Sequence, residues 1–171
     1  MQLSDVLTDA FDRVRHTTHR TVDGLTPEAL LYRPDADANS IAWLVWHLTR
    51  IQDDHVAGAA GTEQIWTTQG WREKFALPLP PSDTGYGHSS ADVAAVKVTS
   101  KDLLLGYHDA VHAHTLAFLR TLGPVDLDRI VDRSFDPPVS LGVRLVSVVD
   151  DCMQHGGQAA YVRGLAERLH R

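Results

Sequence analysis

The sequence predicts an all-α fold, a four-helix bundle formed by one domain spanning residues 1–171. Three observations lead to this class. Four segments carry apolar residues at three- and four-residue steps, the spacing typical of amphipathic helices. Each of these segments begins at a Ser or Asn residue that can cap a helix. The chain has 171 residues, 43% of them hydrophobic, which suits a single core.

The first elements precede residue 40. The apolar spacing of residues 4–22 predicts the first long helix, with Ser4 as its N-cap. Thr26-Pro27 predicts a short helical turn after it, because proline is favoured at the first helical position. Arg33-Pro34 ends that turn, since the residue before a proline is biased away from helix.

The second long helix is predicted from Ile41 to about Gly58, with Asn39 and Ser40 as alternative caps. Residues 61–98 then lose helical periodicity and are rich in Gly, Pro and Trp. A stretch this long inside a compact domain is usually a functional cover or contains short elements of its own. We therefore predict a long, partly helical crossover between the second and third helices.

Ser100 is predicted to cap a third helix that closes at Gly123-Pro124, and Ser140 to cap a fourth from Leu141 to about Leu169. The few strand-favouring residues near Ile130 are too short a run to predict a sheet. Four long helices with one extended connection indicate a helix bundle.

Composition and charge exclude several classes of protein. The formal charge is −6, without a massed basic region, so we expect no nucleic-acid partner. No apolar run reaches the roughly 18 residues of a membrane span, and residues 1–5 do not resemble a secretion signal. The single cysteine, Cys152, excludes an internal disulfide and is predicted to be a small core residue. These features predict a cytoplasmic protein.

Asp151 and His155 form the first candidate pair of metal ligands. They are four residues apart in the fourth helix, about 40° around its axis, so they share one face. The alternative for such a pair is a simple Asp–His hydrogen bond. His47, which directly follows Trp46 and lies about one turn past Trp43 in the second helix, could join the pair or be an ordinary core histidine. Three N/O ligands and an open position would suit catalytic zinc, and nickel or iron would accept the same ligands.

A competing histidine pair lies on the third helix. His108 and His112 are also four residues apart, but their face contains Asp109, and we expect them to be exposed to solvent. Trp43 and Trp46 differ by about 60° around the second helix. One of them could therefore face the core and the other a partner chain, which suggests a homodimer.

Other residues are candidates for catalysis or cofactor binding. His55, one to two turns past His47, could be a base beside the metal or a solvated side chain, and His88 could act as acid or base. Arg50 and Arg163 could bind an anionic group or lie on the surface. The aromatic residues of the crossover could wall the metal or simply pack on the bundle; they are Trp66, Trp71, Phe75 and Tyr86.

Two runs of the sequence resemble a known family. The run PDADANSIAWLVWHL at residues 34–48 and the run QHGGQAAYVRG at residues 154–164 are similar to the DinB-like superfamily, in particular its actinobacterial mycothiol S-transferase-type branch. Gly70-Trp71 and Gly85-Tyr86-Gly87-His88 add to the likeness. The resemblance implies an up-down-down-up bundle whose metal is held by one histidine of helix two and two residues of helix four.

In many members of the family both helix-four ligands are histidines, whereas this chain has Asp151 at the first position. A carboxylate there resembles the glutamate of mycothiol-dependent maleylpyruvate isomerase. The implied activity is a metal-dependent transfer of mycothiol to an electrophilic small molecule, with the metal lowering the pKa of the thiol below the usual value near 8.5. The alternatives are a non-catalytic bundle that binds a metal or small ligand, and a mycothiol-dependent isomerase.

Overall fold

The structure, a computed structural model, describes residues 3–169, and the extreme ends of the predicted 1–171 domain lie outside this range. The predicted all-α class is confirmed. Within the described residues, no helix has both the length and the apolar character needed to cross a membrane. The elements follow one another as α1 (Leu3–Val22), α2 (Pro27–Leu31), α3 (Ile41–Ala60), α4 (Ile65–Thr68), α5 (Trp71–Phe75), α6 (Ser90–Ala95), α7 (Lys101–Leu119), a 3-10 turn (Pro124–Asp128), β1 (Ile130–Asp132), β2 (Val139–Ser140) and α8 (Leu141–Leu169).

The four long helices run up, down, down and up. Arg163, late in α8, and Lys101, at the start of α7, both contact Asp23 at the end of α1. Helix α8 is therefore parallel to α1, and α7 is antiparallel to it. Arg144, at the start of α8, contacts His55 late in α3, so α3 and α8 are antiparallel. Both α1 and α3 pack against α7 and α8, which closes the bundle.

Local capping decides where α3 begins and ends. The Ser40 side chain accepts a hydrogen bond from the Trp43 N–H at 3.1 Å, so Ser40 is the cap rather than Asn39. Gly61 adopts the left-handed conformation, with φ of 70°, and terminates the helix two residues beyond the predicted end.

The connection between α7 and α8 contains a small sheet that the sequence did not predict. Ile130 pairs with Ser140 in a two-stranded antiparallel arrangement, and Leu141 N–H donates to the Arg129 carbonyl at 2.8 Å. The expectation that this region builds no sheet is wrong, because two very short strands suffice when they are held beside the first turn of a long helix.

A buried carboxylate fastens the crossover of residues 61–98 to the bundle. Asp53 of α3 accepts hydrogen bonds from the backbone N–H of Ile65 (2.9 Å), the N–H of Trp66 (2.7 Å) and the Tyr107 hydroxyl (2.8 Å). The Arg50 guanidinium lies 3.6 Å from the same carboxylate, and both side chains are fully buried. The predicted partly helical crossover is confirmed, and this network determines where it starts.

Three of the crossover aromatics pack on α7. Trp66, Phe75 and Trp71 surround Tyr107, with ring centroids 5.2, 5.7 and 5.7 Å from its ring. For these three residues, the structure therefore shows packing of the crossover onto the bundle rather than a wall over a metal. Tyr86 is different, because its side chain is 89% exposed.

Two predictions about exposure are wrong. His108 and His112 are buried rather than exposed, because their face of α7 is covered by α1 and α3. Burial lowers the pKa of His108 to about 3, so this side chain is neutral in the folded protein. Trp43 and Trp46 are both buried in one core cluster, so neither is available to a partner chain. The exposed tryptophan that suggested a homodimer is therefore not found.

Candidate metal centre

Helix α3 supplies His47 from the interior of the fold. Every residue from Ile41 to Asp53 is buried, because α7, α8 and the crossover surround this half of the helix. The His47 Nδ1–H donates to the Thr84 carbonyl at 2.5 Å, which leaves Nε2 available as a ligand. Burial lowers the pKa of His47, although the Thr84 hydrogen bond opposes that shift. The neutral imidazole favoured by burial is the form that binds metals.

Helix α8 supplies Asp151 and His155 one turn apart. The His155 Nδ1–H donates to Gln158 Oε1 at 2.7 Å, so again Nε2 is the free ring nitrogen. His155 Nε2 lies 3.7 Å from Asp151 Oδ2, too far for a hydrogen bond. The alternative of a simple Asp–His hydrogen bond therefore does not apply.

The three side chains converge at the seam between α3 and α8. One potential ligand atom from each of His47, Asp151 and His155 lies within 4.8 Å of the other two. The two imidazole rings are 4.7 Å apart and nearly perpendicular. The predicted convergence of residues from two distant stretches of the chain is confirmed.

The donor set fits a divalent cation. Asp151 Oδ1 is buried and has no hydrogen-bond partner among residues 3–169, an unusual state that a bound cation would relieve. Each histidine has its Nδ1–H tied to an oxygen, the arrangement that usually orients metal-binding imidazoles. Asp151 and His155 are partly exposed, so the cluster is accessible from the α8 side.

A loop of the crossover passes directly over His47. Gly85 has φ of 90°, and a Cβ atom there would lie 2.8 Å from His47 Nδ1 and 3.1 Å from the Trp43 ring. The Gly85 N–H donates to the Asp83 carboxylate at 2.7 Å, which fixes the turn that presents the Thr84 carbonyl. Glycine is required at this position both for its backbone conformation and for the close approach to His47.

We therefore expect Gly85→Ala to lower zinc affinity about 10- to 100-fold, the usual effect of disturbing a group that orients a metal ligand. A chelator-competition titration measures it. Gly87→Ala is the matched control, because Gly87 also has a positive φ (73°) but open space around its Cβ position. Equal losses of affinity in both variants would show that backbone strain, and not contact with His47, is responsible.

His88 has a structural position beside this centre. Its Nδ1 accepts from the Trp43 Nε1–H at 3.0 Å, and its Nε2–H faces both carboxylate oxygens of Asp83 at 3.0 Å. Trp43 in turn stacks on His47, with ring centroids 4.6 Å apart. The predicted acid or base role does not fit this arrangement, since both ring nitrogens are occupied. His88 instead holds Trp43 against the metal ligand.

Two predicted cofactor-binding residues also have other contacts. Arg50 is fully buried, and its Nε–H donates to the Asp83 carbonyl at 3.1 Å, so it supports the loop over His47 rather than meeting a cofactor. Arg163 lies eight residues beyond His155, about 12 Å along α8. Its guanidinium donates to backbone carbonyls at the end of α1, including that of Asp23 at 2.8 Å.

The remaining predicted residues divide between two regions. Trp71 packs against α7, with its contacts to Tyr107 and Gly106. His55 and Tyr86 instead line a cavity of about 420 Å³, together with Thr84, whose carbonyl contacts His47. The cavity therefore shares Thr84 with the loop over His47, and none of the three potential metal ligands is among its lining residues.

Phe135 and Arg144 line the same cavity, and sequence reasoning missed both. Phe135 belongs to the connection before β2, and Arg144 to the first turn of α8, far along the chain from His47. Their spacing from the other candidates contains no periodic signal. The antiparallel packing of α3 on α8 brings Arg144 beside His55, and Phe135 reaches the same cavity from the connection that leads into α8.

The fold and the centre define a class of protein: an all-α bundle with a His–Asp–His ligand set between its second and fourth long helices. The family model described as the DinB superfamily matches residues 10–159, and the chain belongs to the DinB superfamily. A crystal structure of a conserved protein from Enterococcus faecalis is similar, with 32% sequence identity and a TM-score of 0.91, covering 97% of this chain and 98% of that one. A search of curated proteins finds no match.

Proposed function

We propose that this protein is a metal-dependent thiol transferase that joins a low-molecular-weight thiol to an electrophilic small molecule. The observation that carries the proposal is the convergence of His47, Asp151 and His155, with their potential ligand atoms within 4.8 Å of one another. Three protein ligands in a solvent-accessible cluster are typical of catalytic metal sites, which keep a position open for a substrate.

A divalent metal, zinc in the first instance, would lower the pKa of a thiol bound to it and so supply a thiolate near neutral pH. The chain's own residues prepare the centre. The Thr84 carbonyl and Gln158 Oε1 fix which nitrogen each histidine presents. Trp43 stacks on His47 and shields it from water.

The thiol has to come from outside the protein. Cys152 is fully buried and its Sγ–H donates to the Leu48 carbonyl at 3.4 Å. Burial raises the pKa of this thiol well above its ordinary value, so Cys152 is unreactive. Mycothiol is the thiol we propose, because residues 34–48 and 154–164 resemble the mycothiol S-transferase-type branch, and the cytoplasm is the compartment we propose.

The test uses untagged protein loaded with zinc, mycothiol and monochlorobimane, with the fluorescent conjugate as the readout. An S–C bond forms as the C–Cl bond breaks, chloride leaves with the bonding electrons, and the thiol proton goes to the buffer. We expect conjugation to fall at least about 100-fold on removal of zinc or in His47→Ala, because the loss of a ligand exceeds the usual effect of an outer contact. His16→Ala, an exposed histidine of α1, is the matched control and should retain activity.

Replacing mycothiol with glutathione tests the identity of the thiol. Zinc and thiol binding without conjugation above the uncatalysed rate would favour the non-catalytic bundle. Conversion of maleylpyruvate in the same preparation, without bimane conjugation, would favour the isomerase.

A further inference from the structure

We propose that the 420 Å³ cavity beside the metal centre binds the electrophile, and that it selects neutral apolar molecules carrying a hydrogen-bond-accepting oxygen, to which His55 Nε2–H donates. This inference rests on the proposed function, since a transferase needs a place for its second substrate next to the activated thiol.

The walls of the cavity suit an apolar body. Phe135 is 58% exposed and Tyr86 89% exposed, although each is a large ring with little role in the core. They come from two separate connections and line one cavity together with Ile51 of α3. Exposed apolar rings gathered around one concavity are typical of ligand sites, and the volume falls within the usual range for small molecules.

The position of the cavity links it to the centre. Thr84 lines it, and the carbonyl of the same residue accepts the Nδ1–H of His47. Ile51 lies one helical turn beyond His47 on α3, and His55 one turn further. A molecule in the cavity would therefore lie along the same seam of α3 and α8 as the metal ligands.

Arg144 determines which nitrogen of His55 carries the proton. An Arg144 Nη1–H lies 3.3 Å from His55 Nδ1, and a guanidinium can only donate, so Nδ1 is the acceptor and Nε2 carries the proton. Asp54 Oδ2 lies 3.6 Å from the same nitrogen, beyond hydrogen-bond distance. Burial first, and then Arg144, lower the pKa of His55, which favours the neutral ring. In the described part of the chain, His55 Nε2 has no hydrogen-bond partner.

His55 is thus arranged as a fixed donor rather than as the predicted base. A neutral N–H beside an apolar cavity can bind a carbonyl or similar oxygen of a ligand, and a hydrogen bond in such surroundings discriminates well against a ligand that lacks the acceptor.

The charges around the cavity argue against an anionic electrophile. Arg144 is the one permanent cation that lines it among residues 3–169, and its Nη2–H already donates to the Asp132 carboxylate at 2.7 Å. Asp54 lines the cavity as well. A dicarboxylate such as maleylpyruvate would be repelled by the carboxylates of Asp54 and Asp132, and Arg144 is already paired. The cavity therefore favours neutral molecules.

Unreactive probes test this independently of turnover. Three naphthalenes of similar shape are titrated into the zinc-loaded full chain and followed by NMR: 2-acetylnaphthalene, 2-ethylnaphthalene and 6-acetyl-2-naphthoate. We expect the neutral ketone to bind about fivefold or more tightly than either of the others, the effect of one net hydrogen bond or of one repelled charge. Equal affinity for the ketone and the ethyl compound would overturn the proposed donor.

Variants locate the binding. Phe135→Ala should weaken the binding of all three probes several-fold. Tyr161→Ala should not, because Tyr161 is an exposed aromatic residue (68% exposed, against 58% for Phe135) that lines a different cavity. His55→Phe should abolish the preference for the ketone over the ethyl compound. A greater effect of Tyr161→Ala than of Phe135→Ala would place the probes elsewhere and overturn the assignment of the cavity.

Arg144 is tested as a positioning residue. The ¹⁵N chemical shifts of His55 should report the Nε2–H form in the wild type and in Arg144→Lys, and a mixture of tautomers in Arg144→Leu. If Arg144→Leu leaves the tautomer unchanged, the argument about Arg144 fails. If bimane conjugation is absent but the ketone still binds more tightly than the other two probes, the proposed transferase is rejected and the proposed cavity is not. If conjugation occurs but the ketone binds no more tightly, only the proposed role of the cavity is rejected.

Discussion

His155→Ala is expected to lower zinc affinity by about 10²- to 10³-fold. Zinc binds to sites with about four ligands with a binding free energy of ~10–16 kcal/mol, so the loss of one ligand removes roughly a quarter of that free energy. Asp151→Ala should have a comparable effect, because it removes the one anionic ligand of the set. Competition against a fluorescent chelator, with untagged protein, measures both affinities.

Two further variants sharpen this experiment. Gln158→Leu removes only the acceptor of the His155 Nδ1–H, so its effect should be smaller, about tenfold. His112→Gln is the matched control on α7, where His108 and His112 form the other i, i+4 pair. If His112→Gln loses affinity while His155→Ala retains it, the metal binds on α7 and the centre between α3 and α8 is wrong.

Asp53→Ala is expected to lower the free energy of unfolding by about 3–5 kcal/mol, the usual result of removing one partner from a buried ion pair. The substitution would leave the fully buried Arg50 guanidinium without its carboxylate at 3.6 Å. It would also deprive the backbone N–H groups of Ile65 and Trp66 of their acceptor. Urea denaturation followed by circular dichroism measures the change.

The neighbouring carboxylate provides a control for this prediction. Asp54 is partly exposed and accepts one hydrogen bond, from Gln64 Nε2 at 2.7 Å. Asp54→Ala should therefore cost about 1 kcal/mol. A loss of similar size in both variants would mean that the Asp53 network does not anchor the crossover.

The sequence predicted well those features that depend on local interactions. Ser40 and Ser100 cap α3 and α7 through contacts three residues ahead, which spacing alone reveals. Asp151 and His155 share a face because of helix geometry. The position of His47 opposite them needed the family resemblance, since nothing in the spacing states that α3 packs against α8.

The features that the sequence missed depend on long-range packing. His108 carries polar neighbours and looked exposed, yet α1 covers its face. Arg50 looked like a ligand for an anion, but its partners Asp83 and Gln64 belong to the crossover, whose path has no periodic signal. Arg144 comes beside His55 only through the antiparallel packing of α3 on α8, and Phe135 only through the fold of the connection between β1 and β2.

The loop over His47 makes the metal centre and the crossover parts of one cooperative unit. Asp151 and His155 need only α8 to stand side by side, whereas the orientation of His47 depends on the Thr84 carbonyl, and the loop that carries it is fastened through Asp83 to Arg50. Undocking of the crossover would therefore reduce a three-ligand centre to a two-ligand one. Metal binding and the docking of residues 61–98 on the bundle should therefore be thermodynamically coupled. A bound metal should stabilise the docked position of this irregular segment.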